Sequence, residues 1–131
     1  MSKPVELGSL KEGSYIVIDG EACRIVAYDK SKPGKHGAAK ARVVGIGVFD
    51  GVKRMMVSPA ASNVEVPLLE KMNGQVISIT PSSVQIMNLE TFEIFEMAMP
   101  NEDELRNKLQ AGVEAEYWRV LGKMKIVRVK G

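Results

Sequence analysis

Lys35 is the side chain best placed for chemistry in this 131-residue sequence. It stands between two glycines in the run Lys30-Ser31-Lys32-Pro33-Gly34-Lys35-His36-Gly37-Ala38-Ala39-Lys40-Ala41-Arg42. Pro33-Gly34 marks a turn, and Gly37 gives a second point where positive φ costs nothing. The window holds five Lys/Arg and His36, and only Asp29 borders it. An amine on such a cationic finger suits two chemistries: contact with a polyanion, or modification by an enzyme that acts on lysine. Charge alone does not separate either from a solvated basic hairpin loop, the commoner use of such a run.

Other chemistry finds little material. With one His and one Cys, a zinc site of the usual Cys/His type cannot be assembled. His36 has no carboxylate orienter in its own loop and no wall to exclude water, so general-base work is not expected of it. Gly45-Ile46-Gly47-Val48-Phe49-Asp50-Gly51 has the third glycine one place late for a dinucleotide fingerprint, and a strand follows instead of a helix. Gly45 and Gly47 read as close-packing positions in a strand. Cys23 reads as a small buried hydrophobe. Met55, Met56, Met87, Met97 and Met124 fall in strand runs and read as core. Phe92, Phe95, Tyr117 and Trp118 read as buried aromatics before base-stacking platforms. Neither a metal nor a catalytic residue is expected.

The elements that must position Lys35 are strands. Apolar runs at 22–28 and 43–49 flank the loop, the pattern of two strands joined by a long connection. Further strand-like runs lie at 15–18, 53–58 and near 64–66, with hairpin signals at Asp19-Gly20 and Asp50-Gly51. Five short strands and one long loop predict a small barrel over residues 1–69, with the basic loop at 30–42. Asn73-Gly74 opens a second β region over 70–131. There 75–80, 83–89 and 91–97 read as strands, then a helix capped by Asn101 with Glu104 in a capping box and ended by Gly112. Leu105 and Leu109 share a face of that helix, and strands at 113–121 and 124–129 close the list. The order βββαββ is that of an OB-fold.

The loop also carries a resemblance. Lys32-Pro33-Gly34-Lys35-His36-Gly37-Ala38-Ala39-Lys40 resembles the hypusine loop of the translation factor 5A family, relatives of bacterial elongation factor P. The likeness continues through Gly13-Ser14-Tyr15-Ile16-Val17-Ile18-Asp19-Gly20-Glu21, Val64-Glu65-Val66-Pro67, Asp103-Glu104-Leu105 and Glu116-Tyr117-Trp118, so it spans the chain in order. It implies an all-β chain of two small barrels, SH3-like over 1–69 and then an OB-fold with one short helix. It also implies that deoxyhypusine synthase, using NAD and spermidine, transfers a 4-aminobutyl group onto Lys35; the NAD belongs to that enzyme, and no cofactor is expected in this chain. Pro33, Gly34, His36 and Gly37 would shape the loop for the synthase, and Lys30, Lys32, Lys40 and Arg42 would face RNA. The implied partner is the ribosome, where the finger lies beside peptidyl-tRNA and promotes peptide-bond formation at stalled sequences such as consecutive prolines. Ala38 stands where the eukaryotic pattern has a second histidine, and an extended N-terminal tail is missing. Both suit an archaeal member and leave open deoxyhypusine or hypusine.

Composition fits this reading. Net charge is only +2, and the excess lies in residues 1–69, which hold ten Lys/Arg against seven Asp/Glu. The remainder holds eight against nine. A lone cysteine excludes an internal disulfide and suits a reducing compartment. No signal peptide or apolar span is visible, so a cytoplasmic, membrane-free monomer is expected. Two other classes stay in view, a general single-stranded RNA-binding OB-fold protein and a small enzyme. The second lacks site chemistry, and the first would carry an unmodified Lys35.

Overall fold

The computed structural model describes residues 2–31 and 39–130. In chain order these form β1 (Ser2–Glu6), a 3₁₀ turn (Leu7–Ser9), β2 (Tyr15–Ile18), β3 (Glu21–Lys30), β4 (Lys40–Gly47), β5 (Lys53–Pro59), β6 (Asn63–Pro67), β7 (Leu69–Ile79), β8 (Ser83–Asn88), β9 (Ile94–Ala98), α1 (Asp103–Lys108), β10 (Glu114–Val120) and β11 (Lys123–Lys130). The chain divides between Leu68 and Leu69 into two compact units, each around its own apolar cluster. The fold is all-β: an SH3-like barrel, then an OB-fold with one short helix.

In the first unit, β2, β3, β4 and β5 form an antiparallel sheet in that order, and β1 pairs with β6 beside it. Alternation builds the core, because every second strand residue faces the same way. Ile16 and Ile18 come from β2, Cys23 and Ile25 from β3, Ala41 and Val43 from β4, with Leu7 of the 3₁₀ turn. The sequence predicts five strands here, and β1 is a sixth. Its polar Ser2-Lys3-Pro4 start hides it; it is ordered by pairing with β6, Val5 opposite Val64. A bulge between Ile25 and Ala27 leaves the exposed Val26 outside the ladder and shifts the alternation after it, so that Tyr28 packs on the core.

The two hairpin signals have different outcomes. Asp19 and Gly20 both take positive φ, 52° and 79°, as a tight two-residue turn requires. At Asp50-Gly51 only the glycine does. The connection there is wider: Gly47 N–H donates to Val52 O, and the Asp50 carboxylate accepts from Val52 N–H and from both terminal nitrogens of Arg54. A side-chain acceptor thus organises the turn, and the Arg54 guanidinium holds the Asp50 carboxyl down at about 2. Gly45 and Gly47 are close-packing positions, as expected. A Cβ on Gly45 would stand 2.8 Å from that of Cys23, and one on Gly47 would fall on the Asp50 carboxylate.

The second unit is one five-stranded sheet, ordered β11-β10-β7-β8-β9, whose outer strands β9 and β11 come back together. Val76, Val84, Ile86, Met97, Leu109, Ala115, Tyr117 and Ile126 fill it. Asn73-Gly74 does not open this region. It lies inside β7, which starts at Leu69, pairs with β10 up to Gln75 and with β8 from Gly74 onward. Glycine is required there because a Cβ would run into Ile86 and stand 2.9 Å from Met87 O.

The helix also differs from expectation. Its N-cap is Glu102, without a side-chain cap bond, so the Asn101 capping box does not form. It ends at Lys108 because Leu109 leaves with extended backbone (ψ 128°) to enter the core. Gly112, at φ 95°, shapes the turn into β10, where its N–H donates to Val76 O. Strand β9 starts at Ile94, and residues 89–93 form a turn. Tyr117 and Met97 are buried as expected, whereas Phe92 and Met55 are exposed.

Gly74→Ala should cost the second unit about 1–3 kcal/mol, the range for overpacking a filled core. Urea unfolding followed by fluorescence of Trp118, the only tryptophan, reads that unit directly; an unchanged midpoint would contradict the close packing at Gly74.

Candidate functional site: the base of the basic loop

The site is built on the β3–β4 ribbon. Asp29 pairs with Arg42 and Lys30 with Ala41, and the ladder runs back to Cys23 opposite Gly47. One step beyond Lys30, Ser31 closes the ribbon. Its N–H donates to Lys40 O at 2.8 Å, its Oγ reaches the same oxygen at 3.2 Å, and Lys40 N–H donates to that Oγ at 3.1 Å. A serine suits this position because one hydroxyl both donates and accepts. Lys32, Pro33, Gly34, Lys35, His36 and Gly37 lie outside the described residues. Lys35 is the midpoint of the sequence between Ser31 and Ala39.

The returning arm is tied to the core by relay. Ala39 O accepts from Ala60 N–H at 2.8 Å, and Ala60 O accepts from Gly8 N–H at 2.7 Å. Gly8 permits this approach, since a Cβ there would stand 3.0 Å from Ala60 O. Its neighbour Leu7 is fully buried, donates its N–H to Ser62 O and accepts from the Tyr28 hydroxyl at 3.1 Å. The base of the loop is therefore continuous with the first barrel's core.

The described cations do not share one face. Strand alternation puts Arg42 and Lys40 on one side and Lys30 on the other, in register with buried Ala41. Lys30 lies along the 3₁₀ turn, its Nζ 3.5 Å from where a Cβ on Gly8 would stand. Arg42 reaches Asp29 at 4.0 Å and the Met55 sulfur at 3.9 Å. Exposed pairs of this kind contribute little stability. Ser31, Gly8 and Ala60 were not marked as site residues by the sequence. Ser31 carried a weak signal as a turn-forming residue ahead of Pro33-Gly34; Ala60 carried none.

Other candidate chemistry is answered by burial. Cys23 is fully buried, and desolvation pushes its thiol up. Among the described residues no group of three or more His, Cys, Asp or Glu could hold a metal ion. Nor is any helix there long and apolar enough to cross a membrane. In the second unit Trp118 is half-buried, with Lys71 Nζ 5.0 Å from its ring centroid and its indole N–H bonded to Glu116 at 2.9 Å.

Comparison with known proteins covers both units. Residues 1–62 match the family model described as translation initiation factor 5A-like, N-terminal. Residues 68–130 match the one described as eukaryotic elongation factor 5A hypusine, DNA-binding OB fold. The chain is 53% identical over 129 residues to translation initiation factor 5A of Thermofilum pendens, covering 98% of each. It is 48% identical to that of Pyrococcus furiosus, covering 97% of this chain and 94% of the relative. The solved structure of eukaryotic translation initiation factor 5A from Methanococcus jannaschii superposes with a TM-score of 0.90 at 50% identity, over 98% of this chain and 95% of that one. A family protein from Naegleria fowleri gives 0.82 at 33%, over 99% of each.

Ser31→Ala should leave global stability within about 1.5 kcal/mol, the net worth of a typical hydrogen bond. It should speed hydrogen exchange at the Lys40 amide by roughly fivefold or more as the ribbon end opens. Unchanged exchange at Lys40 would show that Ser31 does not close the loop.

Proposed function

The chain belongs to the translation initiation factor 5A family, and from that premise we propose that it acts on the ribosome through a modified Lys35. The observation that carries the reading is the closed ribbon end at Ser31 and Lys40, from which the segment with the family's lysine motif departs. Deoxyhypusine synthase transfers the 4-aminobutyl group of spermidine to the Lys35 amine, with NAD as the synthase's own cofactor. The product is a longer side chain with a second protonatable nitrogen, as deoxyhypusine or, if hydroxylated, hypusine. Pro33, Gly34, His36 and Gly37 give the synthase the loop shape it reads.

The task of the modified side chain is positional. It lies beside peptidyl-tRNA in the cytoplasmic ribosome and favours a reactive geometry where consecutive prolines stall peptide-bond formation. Orientation of reactants held by another active site accounts for large rate effects without new chemistry in this chain. Lys40 and Arg42 on one face, Lys30 on the other and Lys32 in the loop supply phosphate contacts, which position without reading sequence. The two-sided arrangement of the described cations supports insertion between RNA surfaces over docking on one. A rigid base supports it too, because a side chain that works by position needs a fixed origin.

Lys35→Ala should abolish relief of stalling in a polyproline translation assay while leaving stability within about 0.5 kcal/mol. A Lys35→Ala chain that still relieves stalling would exclude the mechanism and favour a general single-stranded RNA-binding role for the OB-fold.

A further inference from the structure

The turn between β8 and β9 has features that the reading above does not use. Phe92 sits there with φ 63°, and its side chain is 68% exposed. A bulky residue in the left-handed region is uncommon and costs energy. The turn does not require the ring: its bond from Phe92 N–H to Asn88 O is a backbone bond that glycine would make without strain. Leu89 and Ile94, three residues before and two after it in sequence, are also exposed. An apolar knob is thus held out from the barrel at a conformational cost.

The knob is firmly mounted. Asn88 is buried and donates to the Tyr117 hydroxyl at 2.8 Å. Its Oδ1 accepts from Glu90 N–H at 2.8 Å and Thr91 N–H at 3.0 Å. Its own N–H donates to Glu93 O, and Leu89 N–H donates to Asn73 O. A turn ordered in advance loses little entropy on binding.

Its exposed charges are acidic, and the cation nearest in the fold, Arg119, is engaged over the Phe95 ring at 5.5 Å and by Glu70 at 3.8 Å. Glu90, Glu93 and Glu96 are exposed, and none makes an ion pair among the described residues. The sequence has no Lys or Arg between Lys71 and Arg106. Lys130, which the register brings toward this end, is engaged by Glu114 at 3.5 Å and Asn73 at 2.8 Å. Carboxylates here repel a phosphate backbone, whereas an aromatic anchor ringed by charge is the pattern of a protein contact.

We propose that the 88–94 turn docks a basic segment of another protein. The Phe92 ring seats in an apolar socket, and Lys or Arg beside that socket pair with Glu90, Glu93 and Glu96. The contact does not depend on Lys35 or its modification.

The test is an NMR titration of the full isotope-labelled chain with an amphipathic helical peptide of Leu and Lys. A Leu/Glu peptide of the same pattern, a uridine oligonucleotide and a dilution series without peptide are run beside it. The Leu/Lys peptide should shift the amides of residues 88–96 saturably. Phe92→Gly should weaken it about tenfold or more, equivalent to roughly 1.4 kcal/mol, while the melting temperature holds or rises because the left-handed strain is gone. Replacing Glu90, Glu93 and Glu96 with Gln should remove the salt dependence of the shifts. The proposal is overturned if binding survives Phe92→Gly or the shifts scatter over other acidic surfaces. It is equally overturned if the Leu/Glu peptide or the oligonucleotide binds the turn as well, or if dilution alone moves the same amides through self-association. A Phe92→Gly chain that cannot fold would make the ring structural and overturn it too.

Discussion

Closure of the β3–β4 ribbon by Ser31 and Lys40 is the constraint on which the functional reading rests. Two strands of a twisted sheet diverge readily at an open end, and a loop between them then has no fixed origin. Here one serine supplies the last rungs, and the relay from Ala39 through Ala60 to Gly8 anchors the returning arm. That relay is made of backbone hydrogen bonds and constrains the base. It ends beside Leu7, which is fully buried, so disturbing the base disturbs the core of the first barrel.

The two units distribute charge differently. The first carries the positive excess, and the described part of its loop offers cations on both faces. The second is polarised: Arg119, Lys123, Lys125, Arg128 and Lys130 lie on β10 and β11 or in the turn between them, while β8 and β9 carry none. Two aromatics of this unit already hold cations, Trp118 with Lys71 against its ring and Phe95 with Arg119 over it. Three of the cations on β10 and β11 are paired with carboxylates, Arg119 with Glu70, Lys125 with Glu102 and Lys130 with Glu114.

Much of the architecture was legible because strands with one buried side announce themselves by alternation. Ile16 and Ile18, Ala41 and Val43, and Val84 and Ile86 mark their strands this way, and Asp19-Gly20 marks its turn. What stayed hidden depends on tertiary contact. β1 exists through β6. Gly74 reads as a turn signal but is the point in a long strand where the Ile86 side chain and Met87 backbone leave no room for Cβ. At the helix N-terminus the cap falls on Glu102 and the Asn101 capping box does not form, while at the other end burial of Leu109 stops the helix at Lys108. Phe92 was assigned to the core by residue type, yet the hydrogen bonds of Asn88 hold it outside. The lysine motif was legible as a string of residues; the base that holds it was not, because Ala60 has no side-chain signature for a backbone relay.

The central claim is that Lys35 is the modified residue of the segment that leaves the closed ribbon end. Peptide mass mapping of the chain purified from its native host tests it most directly. The account requires an added aminobutyl mass on Lys35 and on no other lysine, including Lys30, Lys32 and Lys40 of the same loop. A bare Lys35 in a chain that still relieves stalling at consecutive prolines would contradict it.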